Sequence, residues 1–252
     1  MFENYYKKGS VNIIEENLEI GLDHDIFIFL CNMKLYELAS TMTEGMGIFN
    51  SRLEQPLFKN IQGITYGDLV EFIKDKKSIS LETRRCFVST YEIFEKIISE
   101  ILKYIHYKKP NIVLNKENSI SCDKLLSEKT KEEIVEEMIY QNVMNIMYSK
   151  NIKDILKFIS RYSKCSIDDL LVDGIFVISK MRNSSVHNNG KLSVEEYLEI
   201  KKYDIFDFEQ FEIKDKSEIE LEFEIETVET SINTYKKVIS IICQGLKEQF
   251  EN

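Results

Sequence analysis

Residues 80–108 read SLETRRCFVSTYEIFEKIISEILKYIHYK, and within them Phe87, Tyr91, Phe94, Ile98, Ile101 and Ile105 recur at alternating steps of four and three. That spacing keeps the apolar side chains on one side of a 3.6-residue helix, a continuous stripe for a core. The stretch closes on Lys108-Lys109-Pro110, because proline disfavours the α conformation in the residue before it. The same logic extends outward. Thr130-Lys131-Glu132-Glu133 has the form of a capping box, with Thr at the N-cap and Glu three residues on. It opens a helix carrying Ile134, Met138 and Val143, with a break near Ser149 to Asn151. Ser166-Ile167-Asp168-Asp169 is a weaker cap for the next helix, whose core positions are Ile167, Leu171, Ile175, Ile178 and Met181. Asn188-Asn189-Gly190 supplies its stop. Gly174 lies inside this helix, where glycine costs about 1 kcal/mol against alanine, and a close helix crossing would offset that. A last helix spans about Thr230 to Phe250 on Ile232, Tyr235, Ile239, Ile242 and Leu246.

One segment has a different period. Ile219, Leu221, Phe223 and Ile225 alternate with glutamates from Glu218 to Glu226, the pattern of a half-buried strand. Phe206 to Ile213 is its expected partner, turning at Asp215-Lys216-Ser217. Near the start of the chain, Asp25 to Thr43 is mostly apolar and reads as a buried helix. Gly45, Gly47, Pro56, Gly63 and Gly67 then mark an irregular connection. The expected fold is mainly α. It divides into an N-terminal helical region over 1–67 and a helical bundle over 68–252, with one small β-hairpin at about 206–226 before the last helix.

Composition narrows the function. A 252-residue chain that is 43% hydrophobic can bury a sizeable core. Its formal charge of −10 argues against a dedicated DNA binder, whose affinity would rest on neutralising phosphates. A local basic cleft stays open, since the field depends on where charges sit. Cys31, Cys86, Cys122, Cys165 and Cys243 are odd in number and widely spaced, which suits free thiols in a reducing cytosol. With no signal-like leader and no run long enough to span a bilayer, the expected location is the cytoplasm, without a membrane partner. Asp23-His24-Asp25 could suggest metal ligands, but no second histidine cluster accompanies it, so no metal or other cofactor is expected. Arg84-Arg85 reads as surface. Tyr104, His106, Tyr107, Lys108 and Lys109 either contact RNA or form the basic end of a long helix.

The chemistry concentrates in Met181-Arg182-Asn183-Ser184-Ser185-Val186-His187-Asn188-Asn189-Gly190. One of five arginines and one of three histidines fall within five positions there. At about 100° per residue Asn183 and His187 share a face, while Arg182 and His187 are about 140° apart. The long arginine side chain can still curl toward the imidazole. A helix C-terminus favours cations, so two readings follow: an acid–base site, or an ordinary basic cap.

Arg182-Asn183-Ser184-Ser185-Val186-His187 resembles the R-x(4–6)-H motif of the HEPN superfamily, in the form with a polar residue after the arginine. Those domains are compact helical bundles with the motif toward the end of a long helix, and the likeness spans roughly residues 80–252. The resemblance implies a HEPN-like bundle with metal-independent endoribonuclease activity, as in toxin–antitoxin and antiviral defence systems, leaving a 2′,3′-cyclic phosphate. His187 would be the general base or acid. Arg182 would hold the scissile phosphate, and Asn183 would orient phosphate or imidazole. Ser184, His106 and Lys108 join as candidate RNA contacts. A single motif per chain implies a homodimer with both Arg182/His187 pairs facing a shared cleft, with an antitoxin or defence-system protein as a further partner. In toxins paired with nucleotidyltransferase antitoxins a tyrosine often lies two positions after the histidine; here that position is Asn189. The alternative is a non-catalytic HEPN-like module that binds nucleotide, RNA or protein.

Overall fold

The computed structural model describes residues 11–45, 56–58, 61–65, 76–112, 130–206 and 218–251. Among them are seven α-helices: α1 (Asn12–Gly45), α2 (Lys76–Lys108), α3 (Lys131–Ser149), α4 (Ile152–Ser163), α5 (Asp169–His187), α6 (Val194–Lys201) and α7 (Ile225–Phe250). Strands β1 (Pro56–Phe58) and β2 (Ile61–Thr65) pair antiparallel, and so do β3 (Lys191–Ser193) and β4 (Glu218–Glu220). No helix among the described residues is long and apolar enough to cross a membrane.

Helix α2 is the axis of the bundle, with α1, α3, α4, α5 and α7 packed on it. All six residues of its apolar stripe are buried, each fully buried side chain of this size contributing about 1.5–3 kcal/mol. Phe94 stacks on Tyr235 of α7 with centroids 4.7 Å apart, and Tyr91 meets the same ring edge-on at 6.2 Å. The capping box at Thr130 is formed in both directions, with its hydroxyl accepting from the Glu133 N–H and Glu133 accepting from the Thr130 N–H. Between α3 and α4 the chain breaks at Lys150-Asn151, and Asn151 caps α4. The N-cap of α5 is Asp168, two residues later than Ser166, because its carboxylate accepts from the Leu170 N–H at 2.8 Å. Gly174 does sit at a crossing: a β-carbon there would lie 3.3 Å from Thr234 Cγ2 on α7.

Besides the β1–β2 pair, which lies where an irregular connection was expected, two expectations need correction. Helix α1 lies on the bundle rather than inside it. Val11, Ile14, Leu18, Leu22 and Phe29 are buried, but Ile20, Phe27 and Leu30 are each more than half exposed. A residue count of apolar side chains does not distinguish a two-sided helix from a buried one; only one face of α1 meets α2 and α7. It is tied down at its start, where the Val11 N–H donates to Glu251 Oε1 at 2.8 Å and Lys247 pairs with Glu15 at 3.2 Å.

The second correction concerns how far the strand before α7 extends. Ile219, Leu221 and Phe223 are buried as the alternation requires, yet β4 pairs with β3, in the register Lys191↔Glu220, Leu192↔Ile219 and Ser193↔Glu218. The partner expected at 206–213 falls outside the described residues apart from Phe206, which is a bend. The alternation also stops short of Ile225, which opens α7. Pairing with β3 has a consequence for the site, because β3 follows directly on the end of α5.

Candidate functional site

Helices α2 and α5 run antiparallel. Arg84 meets the turn at Asn189 and Gly190, Val88 shares a groove with Ser185 and Val186, and Glu92 and Glu95 reach Arg182. His187 is the last residue of α5, and a dense set of bonds fixes that end. The Asn188 and Gly190 N–H groups both donate to the Ser184 carbonyl, at 2.9 and 3.0 Å. The Ser184 hydroxyl donates to the Lys191 carbonyl at 2.6 Å, and Leu221 N–H donates to the Gly190 carbonyl at 2.8 Å. Asn189 and Gly190 take left-handed φ values of 54° and 81°, which asparagine tolerates and glycine adopts freely. Arg84 Nη1 then donates to the Asn189 carbonyl at 2.5 Å. Together these orient the last helical turn while leaving the His187 side chain exposed.

Arg182 is held on the α2 side. Its Nη2 lies 3.5 Å from Glu95 Oε2 and 3.7 Å from Glu92 Oε1, and Nη1 donates to Asn183 Oδ1 at 3.2 Å. The guanidinium carbon sits 5.6 Å from the centroid of the Tyr91 ring, a cation–π contact worth about 0.5–1 kcal/mol. Its Nε is buried without a hydrogen-bond partner. Burial pushes the Glu95 carboxyl above the usual range, while Arg182 pulls it back and Glu92 adds to the rise. The two carboxylates therefore compensate the charge of Arg182, but at distances beyond a good hydrogen bond.

The structure joins Arg182 to Asn183 and keeps His187 apart. The guanidinium turns toward α2 and the imidazole toward solvent, and among the described residues no hydrogen bond or ion pair links the two. The arginine does not curl back, because Glu92, Glu95 and Tyr91 offer it a better-compensated position. Two candidate RNA contacts, Ser184 and His106, are corrected as well, and the third, Lys108, lies far from Arg182 along α2. Ser184 is buried, and its hydroxyl is committed to the α5 cap. His106 is fully buried, with Nδ1 2.6 Å from the Leu102 carbonyl and its ring stacked on Phe158. Lys108 is exposed at the far end of α2, over the Tyr104 ring. It stands thirteen residues past Glu95, about 20 Å along the helix at 1.5 Å per residue.

Glu92, Glu95, Tyr91 and Arg84 are the neighbours that sequence reading passed over. Asp25 of the Asp23-His24-Asp25 run accepts from Ser89, and no group of three metal-ligating side chains converges among the described residues. Cys31, Cys86, Cys165 and Cys243 are free thiols. Comparison with protein-family models, curated proteins and solved structures finds no match for this chain.

Proposed function

We propose that the chain is a metal-independent endoribonuclease of the HEPN kind, working as a homodimer in defence or stress. One observation carries the reading. An imidazole open to solvent stands on a helix end whose backbone is fixed by a multi-bond cap, and the same end carries an arginine held by Glu92 and Glu95 at distances longer than a good hydrogen bond. In such a cleavage the imidazole takes the ribose 2′-hydroxyl proton, and the 2′-oxygen bonds to phosphorus. The bond to the 5′-oxygen breaks, and that oxygen takes a proton from a second acid. Products are a 2′,3′-cyclic phosphate and a free 5′-hydroxyl. Arginine stabilises the added negative charge on the pentacoordinate phosphorus.

Within one chain Arg182 and His187 point apart, so the reading pairs the arginine of one protomer with the histidine of its partner about a two-fold axis. Water serves as that second acid, and the imidazolium then returns its proton to the hydroxide, so one Arg182–His187 pair across the two-fold suffices for a cut. The binding-module reading rests on the ion pairs of Arg182 with Glu92 and Glu95, which a purely structural arginine would also make. Incubation with total RNA in EDTA separates them. Wild type is expected to cut and to leave cyclic phosphate, and His187→Ala to cut about 10²–10⁴-fold more slowly. Equal cleavage by both proteins, or none by wild type, removes the enzyme reading.

A further inference from the structure

Between α2 and α5 runs an open groove of about 300 Å³. Arg84 and Arg85 line one end, Glu92 lines the end nearest Arg182, and Val88 and Val186 form an apolar stretch between them. Two of the five arginines in a chain of charge −10 thus line one short channel beside the motif, and a third, Arg182, lies 3.7 Å from the Glu92 carboxylate at its end. We infer that this groove is a phosphate track for single-stranded RNA, with Arg84 and Arg85 holding the backbone a short run of nucleotides from the phosphate at Arg182. The inference rests on the ribonuclease reading for its substrate class and adds the path by which the strand reaches the site.

The geometry favours a strand over a duplex. Arg85 and Glu92 are seven residues apart, roughly 10 Å along α2 at 1.5 Å per residue. That distance holds only a short run of nucleotides, so Arg85 and Arg182 can meet nearby phosphates of one strand. Val88 and Val186 in the groove offer apolar contact to sugars and bases. The charges are placed for it. Arg85 has 75% of its side chain exposed, while its partner Glu82 has 14% exposed, so the cation projects and the acid lies beneath it. Arg84 spends one donor on a neutral carbonyl and keeps its full charge for the groove. At the opposite end Glu92 shares Arg182 with Glu95.

The test is binding in a cleavage-silent background. Full-length His187→Ala is titrated into a fluorescent 12-nucleotide single-stranded RNA over a range of salt concentrations and followed by anisotropy. Each phosphate contact on a single strand contributes about 0.7 to the slope of log K against log salt. Adding Arg85→Gln should lower the slope by about 0.7 and weaken binding about fivefold at 0.1 M salt. Arg161→Gln, whose residue lies on α4 away from the groove, should change neither. A 12-base-pair duplex should bind more weakly than the strand. Equal slopes for Arg85→Gln and its parent overturn the track, and so does an equal loss from Arg161→Gln or tighter binding of the duplex. Arg85-dependent binding without cleavage by wild type would sink the ribonuclease reading and keep the groove. Cleavage that survives Arg85→Gln at the wild-type rate and slope would do the reverse.

Discussion

Gly190→Ala should destabilise the protein by about 2–3 kcal/mol, and the loss should be coupled to Arg84. The backbone at Gly190 has φ +81°, a region that costs an L-residue about 1–2 kcal/mol. A β-carbon built there lies 2.8 Å from Arg84 Nη1, so the guanidinium must swing away. Swinging breaks its bond to the Asn189 carbonyl. A hydrogen bond from a charged donor contributes about 1.5–3 kcal/mol when buried, and solvent at this exposed position reduces it to about 1 kcal/mol. For a chain of this size the sum corresponds to roughly 5–10 °C in Tm. Urea unfolding of wild type, Gly190→Ala, Arg84→Ala and the double variant forms the cycle. With Arg84 absent, Gly190→Ala should cost only its backbone share, leaving a coupling of about 1 kcal/mol. Strict additivity at an unchanged m-value would refute the idea that Arg84 clamps the turn behind His187.

Other consequences are simpler. Gly245→Ala should lower stability by about 1–3 kcal/mol through overpacking even though alanine is the better helix former, because its β-carbon would lie 2.8 Å from both Cys165 Cβ and the Ser163 carbonyl; a midpoint in urea at or above wild type would contradict this. His106 should make the protein acid-sensitive. Its Nδ1–H faces the Leu102 carbonyl and its Nε2 is buried without a partner, so burial, opposed by the Leu102 bond, holds its pKa below the ordinary value of 6.5. Above that value both folded and unfolded states carry it neutral. Below it only the unfolded state takes up the proton, so stability is lost as pH falls, at up to about 1.4 kcal/mol per pH unit. His106→Leu should flatten the stability profile between pH 7 and 5, and coincident slopes would show that His106 is not held neutral in the core.

Much of the bundle was legible because helix periodicity is local. Phe87 to Ile105, the Thr130 capping box and the Asn188-Asn189-Gly190 stop each declare themselves within a few turns of chain. Helix α6 also had a local sign, since Ser193 and Glu196 form a second capping box, but eight residues show too little periodicity to stand out. The partner of β4 was not legible. Lys191 and Glu220 pair across 29 positions with a helix between them, and hairpin signals exist only where a turn joins adjacent strands. At the site, Arg182 and His187 were visible from spacing, whereas their neighbours were not. Glu92 and Glu95 look like ordinary charges on the wet face of α2, and Arg84 meets Asn189 across 105 positions. Such contacts leave no trace in local pattern, and they decided that Arg182 faces α2 instead of the imidazole.

The central claim is that Arg182 of one protomer works with His187 of the other, and mixing two inactive variants tests it most directly. Arg182→Ala and His187→Ala, each slowed about 10²–10⁴-fold alone, are denatured together, refolded and assayed on RNA in EDTA. Random pairing makes about half the dimers mixed, each with one intact Arg182–His187 pair across the two-fold. Recovery of about a quarter of the wild-type rate is the predicted result. A mixture as inactive as its components, or a His187→Ala protein as active as wild type, would contradict it.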